Sequence, residues 1–166
     1  MTVGANAAFS SMLFDVGADP QTPSYVSVNL VGNGTAGEYV LKGERISVYP
    51  GTPFTFLGNT PAPTELFFML NGFLYGAQVP QINGNSSYVA PILAIGGSSG
   101  DGKWTRYNGQ VTHTWIPLGT GFYACQDTVA GEASTVLSWG IAGPNGELPA
   151  GCNATKVIVG SITPSC

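Results

Sequence analysis

Charge is what this chain lacks most. Of its 166 residues only five are basic and nine acidic, 8% in all, where an average protein carries about 25%. The cations Lys42, Arg45, Lys103, Arg106 and Lys156 are scattered, and the formal net charge is −4. Binding nucleic acid needs several Lys or Arg on one face to neutralise phosphates, so no nucleic-acid partner is expected. Anionic membranes are disfavoured for the same reason, and no apolar run approaches the roughly 20 residues that span a bilayer. Residues 1–6 have neither a basic n-region nor a long apolar h-region, so they do not read as a signal peptide.

Histidine is as scarce. With His113 alone, no zinc site with two imidazoles forms and HExxH is absent, so no metal is expected. A nucleophile served by His113 finds no Gly-x-Ser-x-Gly elbow and no acid spaced to orient the ring. GxxxxGK[ST] is also missing, which leaves no phosphate loop and no cofactor. The acids Asp15, Asp19, Glu38, Glu44, Glu65, Asp101, Asp127, Glu132 and Glu147 mostly sit beside Gly, Pro or Thr. That is the chemistry of turns and strand ends, and nothing pairs two of them as a glycosidase would require. No catalytic residue is expected.

Cysteine is limited to Cys125, Cys152 and Cys166. The odd count without CxxC spacing speaks against zinc or redox motifs. One disulfide, Cys125–Cys152, would fasten the last strands to the body and leave Cys166 over; the alternative is three reduced thiols in a cytosolic protein.

What the chain has is turn chemistry. Gly at 24 and Pro at 12 suit many short strands and make long helices unexpected. Five Asn-Gly dipeptides occur, at Asn33-Gly34, Asn71-Gly72, Asn83-Gly84, Asn108-Gly109 and Asn145-Gly146. Asn-Gly favours two-residue type I′ hairpins, whose central residues both need positive φ. For Asn108-Gly109 the register follows: Tyr107 opposes Gln110, Arg106 opposes Val111, Thr105 opposes Thr112, and Trp104 opposes His113. Asn71-Gly72 likewise sets Leu70 against Phe73, Met69 against Leu74 and Phe68 against Tyr75.

Alternation marks strands around Val26, Val28 and Leu30, then 39–41, 46–48 and 54–57. Continuous apolar runs at 66–70 and 89–95 follow, the second interrupted by Pro91 as at an edge or bulge. Further strands are expected over 104–107, 111–116, 122–125, 135–141 and 156–162. Residues 96–102, nearly all Gly and Ser, read as a flexible surface loop. The expectation is one all-β domain over 1–166, with 1–22 as a loosely ordered N-terminal arm. About a dozen short antiparallel strands would form a β-trefoil-like or closed barrel, favoured by three hairpins at near-equal spacing, or a two-sheet β-sandwich.

Asn33, Asn85 and Asn153 open N-glycosylation sequons in turn-like stretches. Aromatic rings beside amides suit the apolar C–H faces of sugars, which makes Trp104, Tyr107, His113 and Trp115 candidate ligand-binding residues. For Trp139, within Leu137-Trp139-Ile141, a core position is expected.

Gly121-Phe122-Tyr123-Ala124-Cys125-Gln126, Leu137-Ser138-Trp139-Gly140-Ile141 and Gly151-Cys152-Asn153, with a last strand toward Cys166, resemble fungal cell wall proteins of the PhiA type. Phe67-Phe68-Met69-Leu70-Asn71-Gly72-Phe73-Leu74-Tyr75 is similar to that family's aromatic strand, turn and Leu-Tyr strand. The likeness covers 65–166, and 20–58 by pattern alone; the family's additional N-terminal cysteines are absent. It implies a small secreted protein of the cell wall, with a role in development, adhesion or host recognition and no catalytic residues. The function expected is therefore a secreted, non-enzymatic, monomeric wall or surface protein. The alternatives are a lectin-like module for wall polysaccharide, glucan or chitin, and a glycan hydrolase with paired carboxylates.

Overall fold

Two of the Asn-Gly pairs turn the chain as tight hairpins. The computed structural model describes residues 9–14, 24–29, 38–45, 51–56, 63–81, 88–97, 100–114 and 120–160. Asn71 and Asn108 take φ of 50°, and Gly72 and Gly109 follow at 80° and 74°. Every cross-strand pair expected around these turns is present, including Trp104 opposite His113 and Phe68 opposite Tyr75.

Among the described residues there are fourteen strands and no helix. In chain order they are β1 (Phe9–Phe14), β2 (Ser24–Asn29), β3 (Glu38–Arg45), β4 (Pro53–Phe56), β5 (Leu66–Leu70), β6 (Phe73–Gln78) and β7 (Tyr88–Pro91). Then come β8 (Leu93–Gly96), β9 (Trp104–Tyr107), β10 (Gln110–His113), β11 (Thr120–Val129), β12 (Glu132–Ile141), β13 (Cys152–Thr155) and β14 (Val157–Gly160). The protein is all-β: a curled antiparallel sheet, half-barrel in form, with a small second sheet. β2 bonds β1 on one edge and β3 on the other, which brings distant parts of the strand order together. β3 and β12 each change partner partway along, β3 from β8 to β12 and β12 from β3 to β7.

Several expectations are corrected. Residues 1–22 are not all arm, because β1 lies within them and is hydrogen-bonded to β2, β4 and β14. Pro91 lies on an edge, one of the two expected placements, and not at a bulge in one continuous strand: among the described residues β7 pairs with β12 alone. It ends β7, and the N–H of the fully buried Ile92 carries the β7–β12 register one rung further, to the Leu137 carbonyl at 3.0 Å, before β8 begins. Asn145-Gly146 makes no hairpin. Gly146 N–H closes on the Gly143 carbonyl, the Glu147 carboxylate accepts from Asn145 N–H, and the next strand starts only at Cys152. The third of the evenly spaced hairpins is thus a local turn. Asn33-Gly34, Asn83-Gly84 and the strand expected at 46–48 lie outside the described residues.

The core gathers Val26, Leu41, Phe54, Leu66, Phe68 and Ile92 with Trp104, Phe122 and Trp139 from β9, β11 and β12. Burying each such side chain is worth roughly 1.5–3 kcal/mol. Tyr75 stacks on Phe68 and meets Tyr39 edge-on, with the two hydroxyls 3.2 Å apart. That hydrogen bond, and then burial, raises the Tyr75 phenol above its ordinary pKa of 10.0. β11 and β12 form the longest ladder, ten residues each, and Cys125 is bonded to the directly opposed Cys152 on β13. Cys166 lies outside the described residues.

The β11–β12 ladder turns at Ala130-Gly131, where Ala130 holds φ of 51°. A side chain with a Cβ costs roughly 1–2 kcal/mol in that region, and Asn tolerates it best. Ala130→Asn is therefore expected to stabilise the protein by about 0.5–1 kcal/mol, read as a higher urea midpoint at unchanged slope. An unchanged or lower midpoint would refute the strain.

Candidate functional site

The β9–β10 hairpin carries the lone histidine into the core. Because Asn108-Gly109 fixes the register, Trp104 and His113 project from the same face of neighbouring strands, and their rings meet edge-on at 5.1 Å. The β11–β12 register sets Phe122 opposite Trp139 in the same way, with ring centroids at 4.9 Å. The two pairs close on each other: His113 lies 5.3 Å from Trp139, and Trp104 lies 6.2 Å from Phe122. Four rings from four strands form one cycle.

A carboxylate completes it. His113 Nε2 is 2.7 Å from Asp101 Oδ1, and the other Asp101 oxygen accepts from Val79 N–H at 3.0 Å. Asp101 N–H and Trp104 Nε1–H both donate to the Ala77 carbonyl, at 3.3 and 3.0 Å. The loop comes this close to β6 because of Gly100. Its φ is 78°, and a Cβ there would lie 2.3 Å from the Ala77 oxygen. The expectation of a flexible surface loop at 96–102 is thus corrected at Gly100 and Asp101, which are pinned to β6; residues 98–99 lie outside the described residues.

Two cavities flank His113. One, of about 310 Å³, is lined by Gln78, Val79, Gln81, Asp101, Lys103 and His113. The other, of about 230 Å³, lies between β10, β11, β12 and the β13–β14 junction, with Val111, Phe122, Trp139 and Val157 among its walls. Neither contains two carboxylates or a cysteine. Among the described residues no cluster of three His, Cys, Asp or Glu is arranged to hold a metal. His113, the side chain best suited to moving protons near neutral pH, shows 2% of its surface and is engaged by Asp101. The arrangement is built to hold its shape, and its two cavities offer binding space.

The expected ligand-binding residues do not form one surface. Trp104, at 1% exposure, is a core ring and not a platform for sugar, because the register that pairs it with His113 turns it inward. His113 is buried beside it. Tyr107, three residues on and on the opposite face of β9, is 73% exposed. Trp115 lies outside the described residues, as do Asn33 and Asn85. Asn153 is exposed, but on strand β13 rather than in a turn. Gln78, Gln81 and Asp101 were not singled out from the sequence; a lone acid inside an otherwise uncharged glycine run was the available signal.

Asp101→Ala would leave the buried Val79 N–H and the His113 ring without their acceptor. Such orphaned groups cost about 1–3 kcal/mol each, softened here because the carboxylate is 21% exposed. A loss of about 2–3 kcal/mol is expected in urea unfolding, and Asp101→Asn, which keeps one acceptor, should lose roughly half as much. A cost below about 0.5 kcal/mol for Asp101→Ala, within the usual range for a surface substitution, would remove this carboxylate from its structural role. No protein-family model, curated protein or solved structure matches the chain.

Proposed function

We propose that this chain is a secreted, non-enzymatic protein of a fungal cell wall or cell surface, monomeric, with a structural or developmental role. The observation that carries the reading is the Cys125–Cys152 bond joining opposed residues of β11 and β13, since such bonds persist in oxidising compartments and are rare in the cytosol. The locked state of the only histidine and the resemblance of 121–126, 137–141 and 151–153 to PhiA-type wall proteins support it. A chain with 8% charged residues also suits a matrix of neutral polysaccharide better than a crowded ionic medium. In the same reading the curled sheet is a closed barrel, supported by β2 pairing on both edges. Asn153, exposed two residues before Thr155, is an N-glycan acceptor. Fractionating the producing cells tests the proposal: the protein is expected in the wall or medium, with Cys125 and Cys152 bonded by peptide mapping. Recovery from the cytosol with free thiols would overturn it.

A second reading, binding of wall polysaccharide, is favoured by the cavity lined by Gln78, Gln81, Asp101 and Lys103. Amides both donate and accept, as sugar hydroxyls do, and a carboxylate and an ammonium fix their orientation. Saturable retention on insoluble chitin, β-glucan or cellulose is expected, falling about tenfold in the Gln78→Ala/Gln81→Ala variant as two hydrogen bonds go. No retention on any of the three refutes binding. Retention lost only with Tyr107→Ala would move the site to the exposed face of β9.

A further inference from the structure

Strands β13 and β14 follow each other in the chain with only Lys156 between them, yet they stand far apart in the strand order. β13 lies at one end of that order, on β11, while β14 lies near the other end, between β1 and β10. The segment 152–160 thus bridges a seam between β10 and β11, which no ladder joins among the described residues. Its two halves are held differently. β14 is anchored by Val157, buried in the core, by its pairing with β1 and β10, and by Val159 N–H, which donates to the Gly109 carbonyl at 2.8 Å. β13 gives no residue to the core: Asn153 and Ala154 are exposed, and Cys152 and Thr155 are half-buried. Among the described residues it pairs with β11 alone, over four residues, and the Cys125–Cys152 bond fastens that pairing at one end. Both cysteines keep part of their surface in water, beside the exposed Gln126, Asp127 and Thr128. Exposed disulfides of this kind are the ones that external thiols reach.

We propose that Cys125–Cys152 is a reducible latch on the seam, opened by an external dithiol. A thiolate of the dithiol attacks one cysteine sulfur, the S–S bond breaks, and the other cysteine leaves as a thiolate. The second thiol then attacks the mixed disulfide and releases the first cysteine. Two electrons and two protons pass to Cys125 and Cys152, and the dithiol departs as its own disulfide. β13 then swings away about the exposed Lys156, while β14 and the ten-residue β11–β12 ladder stay in place. Thr155 parts from Phe122, and the cavity walled by Val111, Phe122 and Val157 opens along the seam. The reduced protein therefore presents apolar surface that the bonded protein covers.

The two edges of β11 supply the test and its control. Gln126 N–H donates to the Gly151 carbonyl at 2.9 Å, so by alternation the N–H groups of Ala124 and Phe122 also face β13. Those of Tyr123 and Cys125 face β12. Dithiothreitol without denaturant, added to Cys166→Ser protein, is expected to reduce the bond and to speed amide exchange at residues 122, 124 and 126 about tenfold or more. Exchange at Tyr123 and Cys125 should not change. Cys125→Ser/Cys152→Ser should show the same pattern without reductant. The latch is overturned if the bond resists dithiothreitol until urea unfolds the protein, or if exchange at 122, 124 and 126 stays as slow after reduction. It is equally overturned if all core amides speed up together, because the bond would then staple the whole fold.

Discussion

The site is organised by one carboxylate. Asp101 takes the Val79 N–H with one oxygen and His113 Nε2 with the other, while its own N–H reaches Ala77. Three elements are joined there: the loop ending at Asp101, strand β6 with its extension to Val79, and strand β10. A hydrogen bond involving a charged group contributes more than a neutral one, and it contributes most where water is excluded. Without that anchor, the His113 ring enclosed by Trp104 and Trp139 would lose the carboxylate that meets its Nε2. With it, the ring cycle Trp104–His113–Trp139–Phe122 has a fixed centre and separates two cavities of different chemistry.

Scarcity of charge gives this placement its weight. A chain with nine acids could keep them all in water, yet Asp101 is drawn mostly inside. Its desolvation is offset only because each oxygen has a donor, which is the condition under which buried carboxylates are tolerated. Gly100 makes that possible by letting backbone approach backbone where any Cβ would collide. The same economy governs the opposite edge, where β13 pairs, among the described residues, only with β11 and is secured by a covalent bond instead of a long ladder. A four-residue edge strand held this way is too short to template pairing with another chain.

How much of this was legible depends on the range of the interaction. Asn71-Gly72 and Asn108-Gly109 determine their hairpins locally, so the pairing of Trp104 with His113 could be worked out from turn chemistry alone. Trp139 in the core and Cys125 bonded to Cys152 were also readable, from alternation and from counting. The β11–β12 turn was not, because Ala130 occupies a left-handed position that its own propensity disfavours and that only the ten-residue ladder enforces. Nor was the burial of Trp104. Its polar neighbours Thr105, Arg106 and Tyr107 read as surface, but the face it occupies is covered by Phe122 of β11, eighteen residues later. Asp101 was hidden by its context, since glycine runs usually mean slack and here mean close approach.

The two cavities follow from this geometry and need no common purpose. His113 lines both, but it presents to each a different neighbourhood: amides and a carboxylate on the loop side, aromatic and aliphatic walls on the β11–β12 side. A buried imidazole is well suited to such a boundary, having apolar faces for the rings and polar edges for an acceptor. The disulfide supports the apolar side from a distance. Cys152 holds β13 in register with β11, and that register sets Thr155 against Phe122 at the cavity wall. Shape on one side thus depends on a covalent bond, on the other on a hydrogen-bonded carboxylate.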